Sequence, residues 1–232
     1  MIVYGRNAVR EAVRGPRKVA RAWATERAAD QPWLGAAGVP VSIEEGEALA
    51  RRCGSDEHQG VAAEVAPFEY ADADALLAGE APLIVALDEV QDPQNLGAIC
   101  RTAECAGATG VVLPRHRAAD VTAAVCKASA GAVEHLPVAQ VRNLADFLAD
   151  AKRADCWVYG AQAGADTAYD APDYGGGVVC VLGAEGRGLR PRVAAACDAL
   201  VSVPLRGRIE SLNVGATAAV LLYEILQRRG AA

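Results

Sequence analysis

From residue 83 onward the chain alternates short apolar runs of strand length with stretches of helical spacing, and that alternation admits few architectures. The run Leu83-Ile-Val-Ala-Leu87 is apolar at every position, which suits a strand covered on both faces. A polar loop follows, then a helix expected near 96–106 and closed by Gly107, and a strand at 110–113. Helical patterns around 118–127 and 142–152, strands at 157–161, 178–182 and 200–203, and a last helix complete the series. Strands separated by helices imply an α/β fold with a largely parallel sheet.

The front of the chain reads as a smaller unit. A helix is expected at 6–14, strands at 18–24, 39–43 and 61–65, and a helix at 44–52. A stretch rich in Asp and Ala between two prolines, with a short helix at 72–77, separates the two series. The expected organisation is therefore a small α/β domain over 1–66, a linker over 67–81 and a larger α/β domain over 82–232. At 232 residues the chain can bury a sizeable core in such a domain.

Charge is unevenly placed. The net charge of −6 argues against indiscriminate binding to polyanions. Yet within residues 1–27 seven basic side chains (Arg6, Arg10, Arg14, Arg17, Lys18, Arg21, Arg27) face only Glu11 and Glu26. A solvated helical face and a local phosphate contact both fit that segment.

No apolar run approaches the roughly 20 residues that cross a bilayer, and Met1-Ile-Val-Tyr-Gly-Arg6 lacks a signal core, so a cytoplasmic protein is expected. Seven cysteines without a Cys-x-x-Cys pair suit buried thiols in a reducing compartment. His58, His116 and His135 lack metal-ligand spacing, and no metal is expected.

In open α/β sheets ligands bind beyond the carboxyl ends of the strands, which singles out the loops after Leu87, Leu182 and Val203. The first, from Asp92-Pro93, carries Asn95, expected as an N-cap, then Gly97 and Arg101. The second, Gly183-Ala-Glu-Gly-Arg-Gly188, has neither the glycine order of a dinucleotide fingerprint nor a phosphate-loop lysine. The third, from Val203 through Pro204, Arg206 and Arg208 to Ser211-Leu-Asn213, crowds polar residues ahead of a helix that one cap, Ser211 or Asn213, would start.

Together these loops resemble the signature motifs of the SpoU (TrmH-like) family of RNA ribose 2′-O-methyltransferases, within the knotted SPOUT class. Asn95 and Arg101 match its first motif, Gly183, Glu185 and Gly186 its second, and Ser211, Leu212 and Asn213 its third. The opening Tyr4-Gly5-Arg6-Asn7 is similar to the start of the family's RNA-binding domain. The resemblance implies a C-terminal segment threaded into a trefoil knot, a pocket for S-adenosylmethionine near Gly183, Val203, Leu205 and Leu212, a homodimer, and no metal.

It also implies that Asn95, Arg101, Glu185, Ser211 and Asn213 are the catalytic residues. The family often gives the matching arginine the role of base, but arginine side chains are in effect always protonated. Arg101 is instead expected to stabilise the developing alkoxide or hold an adjacent phosphate. Asn95 and Asn213 would orient Arg101 or the ribose, Ser211 would bond to cofactor or substrate, and Glu185 would anchor the loop or Arg101. Length, opening and linker look closest to enzymes acting on a guanosine of 23S ribosomal RNA. The alternatives are a transfer-RNA enzyme, an antibiotic-resistance ribosomal RNA enzyme, and a non-catalytic RNA-binding protein that keeps the fold.

Overall fold

Short strands rich in Val and Ala build the first sheet. β1 (Ile2–Tyr4), β2 (Val19–Ala24), β3 (Val41–Ile43) and β4 (Val61–Val65) lie in the order β1-β4-β2-β3. β4 runs antiparallel to β1 and β2, while β2 and β3 are parallel. Helix Arg6–Arg14 buries Ala8, Val9 and Ala12, one stripe at helical spacing. Helix Gly46–Cys53 contributes Leu49 to a cluster with Tyr4, Trp23 and Ala62. It stops at Gly54, whose φ of 63° few side chains would tolerate.

The computed structural model describes residues 1–230, which form two compact units. The first is Met1–Glu69 together with Asp120–His135, so a stretch within the span expected as one larger domain folds with the N-terminal part. Thr122 is extended, and the helix expected over 118–127 occupies only Ala123–Ala128, with Val125 and Cys126 buried. The fully buried carboxylate of Glu134 pairs with Arg17, whose Nε donates to Oε2 at 2.8 Å and whose second nitrogen bonds Oε1. Arg17 also donates to the carbonyl of Ala66 at 3.0 Å, and His135 meets Glu11 at 3.1 Å.

The second unit takes Tyr70–Ala119 and the chain from Leu136 onward. Its strands are β5 (Leu83–Asp88), β6 (Gly110–Pro114), β7 (Val138–Val141), β8 (Cys156–Ala161), β9 (Thr167–Ala168), β10 (Gly177–Gly183) and β11 (Ala199–Ser202). They lie in the order β7-β6-β5-β10-β8-β11-β9, and every neighbouring pair is parallel. β5 is buried along its whole length, as its unbroken apolar run requires. Against one face of the sheet Ile84, Ala86, Val112, Val158, Val179 and Val181 pack with Leu144, Phe147 and Leu148 of helix Leu144–Arg153.

Chain direction across the sheet reverses beside β5. β6 and β7 extend to one side, whereas β10 is inserted between β5 and β8 on the other. The register pairs Leu182 with Leu87 and Gly183 with Asp88, so the loops that leave β5 and β10 start side by side. This is the crevice in which parallel α/β sheets bind ligands.

Helix Val214–Gly230 buries Leu221, Leu222 and Ile225. In its last turn Arg229 donates to the carbonyls of Gly176 (2.6 Å), Ala81 (3.0 Å), Pro82 and Tyr174 (both 3.3 Å), and burial lowers its pKa. No helix among the described residues is long and apolar enough to cross a membrane.

Candidate active site

The loop after β5 enters helix Pro93–Cys105 through Asp92, whose side chain accepts from the amide of Gln94 at 3.0 Å, with Pro93 in the first turn. Asp92, and not the expected Asn95, is therefore the N-cap. Asn95 lies one turn further in, only 7% exposed, with its amide free for another partner.

That partner is Asn213, and its bonds fix how the amide points. Its Oδ1 accepts from the backbone N–H of Gly215 (2.9 Å) and Ala216 (3.3 Å), capping the last helix. Only an oxygen can accept those bonds, so Nδ2 must face the other way. There it donates to Asn95 Oδ1 at 2.9 Å and to Glu185 Oε1 at 2.6 Å. One side chain thus joins all three loops. Ser211, the other capping candidate, is exposed and has no hydrogen-bond partner among the described residues.

The loop carrying Glu185 is folded tightly on itself. Gly188 donates its N–H to Ala184 at 2.9 Å, and Gly186 and Gly188 adopt φ of 74° and 66°. A Cβ on Gly183 would collide with the backbone of Gly188 and lie 2.6 Å from the nitrogen of Leu189. At the root of the loop buried Asp88 receives the N–H of Arg190 at 2.8 Å and its Nε at 2.7 Å. Sequence reasoning missed this pair, because 102 residues separate its partners.

Two adjoining clefts flank the cluster. The larger, about 450 Å³, lies over β10, β8 and β11, and its walls include all four residues expected to hold a cofactor, Gly183, Val203, Leu205 and Leu212, together with Ser211. Leu205 and Leu212 leave apolar surface exposed there, 38% and 42%. The smaller, about 260 Å³, lies over β5 and β10 and is lined by Glu89, Asp92 and Asn95. Ala184, Glu185, Arg187 and Val214 border both.

Arg101 is not part of the cluster. It is exposed on helix Pro93–Cys105, lines neither cleft, and has no side-chain partner among the described residues; Glu185 anchors Asn213 instead. Arg187, which no motif argument singled out, stands on the rim of both clefts with its guanidinium unpaired among the described residues. Its position between two glycines, Gly186 and Gly188, was the available signal. No group of three His, Cys, Asp or Glu suited to a metal occurs among the described residues.

A family model for the SpoU rRNA methylase family matches residues 82–223, and one for RNA 2′-O ribose methyltransferase substrate binding matches 2–71. The chain belongs to the SpoU rRNA methylase family. An uncharacterized tRNA/rRNA methyltransferase of Synechocystis sp. is 39% identical, covering 99% of this chain and 63% of that protein. YacO of Bacillus subtilis, provisionally named a TrmH family tRNA/rRNA methyltransferase, is 38% identical over 98% of this chain and 95% of its own length. The crystal structure of an AdoMet-bound rRNA methyltransferase from Sinorhizobium meliloti superimposes with a TM-score of 0.80 at 28% identity, covering 100% of this chain and 87% of that one. The SpoU match spans every strand of the second sheet.

Proposed function

We propose that this protein transfers the methyl group of S-adenosylmethionine to a ribose 2′-hydroxyl of RNA, with a guanosine of 23S ribosomal RNA as its substrate. The observation that carries the reading is the pair of adjoining clefts with Asn95, Glu185 and Asn213 at their junction. A cleft of 450 Å³ with a backbone-rich floor and apolar walls fits a nucleoside bearing an aliphatic stem. Gly183, Val203, Leu205 and Leu212 would hold the cofactor, which supplies an electrophilic methyl group. The smaller cleft would admit the acceptor nucleotide.

The residues then divide the work. Asn213, pinned by its capping role, holds the Asn95 and Glu185 side chains in one geometry, so little reorganisation is needed when the hydroxyl arrives. Ser211, unpaired and on the cleft wall, would donate to whichever ligand lies there. Arg101, outside the cofactor cleft and unpaired, would act on the RNA, holding a phosphate or the developing alkoxide.

Homodimerisation, trefoil threading of the C-terminal segment and a cytoplasmic location belong to the same proposal. Light scattering checks the first: a monomer at micromolar concentration would remove it. Relatives named for both RNA classes favour transfer RNA as the second reading. Incubating labelled S-adenosylmethionine with purified ribosomal and transfer RNA, then mapping the modified nucleotide, separates the two. Label in neither RNA, with the cofactor unbound, would turn the reading to a non-catalytic RNA-binding protein.

A further inference from the structure

A second region of the sheet's carboxyl end, a cleft of about 820 Å³, lies outside the site described above. It lies over the carboxyl ends of β6 and β7, where Arg115, His116, Arg117 and Arg142 emerge, and its lining also includes Arg190 and Arg192. Four carboxylates share it. Asp146 is taken up by Arg192 at 2.8 Å, Asp150 by Arg153, and Glu89 by Arg190 and Arg117 at 3.2 and 3.4 Å. Asp74 alone has an unpaired carboxylate among the described residues. Against it stand Arg115 and Arg142, exposed and with no side-chain partner among the described residues.

The cleft adjoins the candidate site, because Glu89 lines both it and the smaller cleft beside Asn95. Glu89 and Arg117 face each other at that junction, and both hold left-handed backbone, φ 60° and 59°. Such conformations are uncommon for residues other than glycine and tend to mark functional positions. The three clefts follow the strand order, from β11, β8 and β10 through β5 to β6 and β7. With strands about 4.8 Å apart, β7 lies roughly 14 Å from β10, room for two nucleotides of an extended strand.

We infer that this cleft is a track for the single-stranded RNA flanking the modified nucleotide, with Arg115 and Arg142 on its phosphates. The inference rests on the methyl-transfer reading for which nucleotide sits at the end of the track, but the track itself needs only RNA. A single strand is the form of RNA whose bases can be splayed out and read by a protein, whereas a duplex is read by its shape and backbone. The Glu89–Arg117 pair closes the floor between the two clefts, and Arg117 can turn from Glu89 to a phosphate.

The test measures binding of a fluorescein-labelled single-stranded RNA of about twelve nucleotides to the full chain across a salt series. The double variant R115A/R142A should bind several-fold more weakly, with its salt slope smaller by roughly 1.4, about 0.7 for each phosphate released on a single strand. R115K/R142K should restore the slope, since the charges remain. S-adenosylmethionine affinity and the melting temperature should not change. An unaltered slope in R115A/R142A, or an equal loss against a duplex of the same length, would overturn the track. Absence of methyl transfer by the unmodified protein would overturn the proposed function instead, and the salt slopes would still decide the track.

Discussion

The first unit carries eight arginines and the second twelve, and the two use them differently. In the first, four of the seven basic residues in the run that stands out in the sequence are spoken for: Arg10 and Arg14 meet Glu11, Arg17 meets Glu134, and Arg21 meets Glu64. Arg52 stacks over Trp23 at 3.9 Å and pairs with Glu44. In the second, Arg101, Arg115, Arg142, Arg187, Arg206 and Arg208 are exposed and unpaired among the described residues. Charge counted along a chain therefore misplaces the cations available to a ligand. What matters is which of them the fold has already neutralised.

Breaking a neutralised pair should cost stability. Arg17→Ala leaves the buried Glu134 carboxylate without its partner and is expected to lower unfolding free energy by about 3–5 kcal/mol, read by urea titration of the full chain. Arg17→Ala with Glu134→Ala should recover part of that loss.

The second unit should respond the other way. Asn213→Ser keeps an oxygen for the cap but loses the amide donor to Asn95 and Glu185, so methyl transfer should fall on the order of a hundred-fold while the melting temperature holds. Asn213→Ala should lose activity equally and also about 1 kcal/mol of stability. If both variants melt alike, the division between the cap and the proposed reaction centre fails.

Arg101→Lys tests a free cation. Losing the forked contact should lower methyl transfer about ten-fold, ~1.4 kcal/mol, and leave cofactor affinity by calorimetry unchanged, because Arg101 does not line the cleft proposed to hold the cofactor. Parallel losses in both would contradict that separation.

The smallest effect belongs to acid. Burial pushes the Glu11 carboxyl upward, but hydrogen bonds from Arg10 and His135 outweigh it and hold its pKa below the ordinary 4.5. A lowered folded-state pKa means that this stabilisation is complete above the unfolded value and is lost as pH falls through the folded one. Glu11→Gln should therefore flatten the acid limb of the stability profile below about pH 4.5 and leave the neutral value within 1 kcal/mol.

The parallel sheet was legible because fully buried strands announce themselves as unbroken apolar runs, and 83–87 became Leu83–Asp88. β7 was not, since Val138-Ala-Gln-Val141 is short, follows Pro137, and is a strand by virtue of β6 beside it. Helix Pro191–Ala196 and β1 were missed for the same reason: few residues, held by long-range partners.

At the site, the residue types and their loops were readable, but their bonds were not. Asn95 and Asp92 are both good caps in isolation, and only the rigid φ of Pro93 in the first turn decided between them. The placement of 120–135 with the first unit had no local signal either. Its anchor, Glu134, lies 117 residues from Arg17.

Helix Val214–Gly230 begins at Asn213, among the carboxyl-end loops, and finishes at Arg229, fastened to Ala81, Pro82 and Gly176 just ahead of β5 and β10. Seventeen residues at 1.5 Å each make a strut of about 25 Å between opposite rims of the sheet. The reach of the Asn213 amide is therefore gauged from the rim farthest from the candidate site. A substitution that lets the strut slide by a fraction of a turn at Arg229 would detune the Asn95–Glu185–Asn213 cluster without touching it.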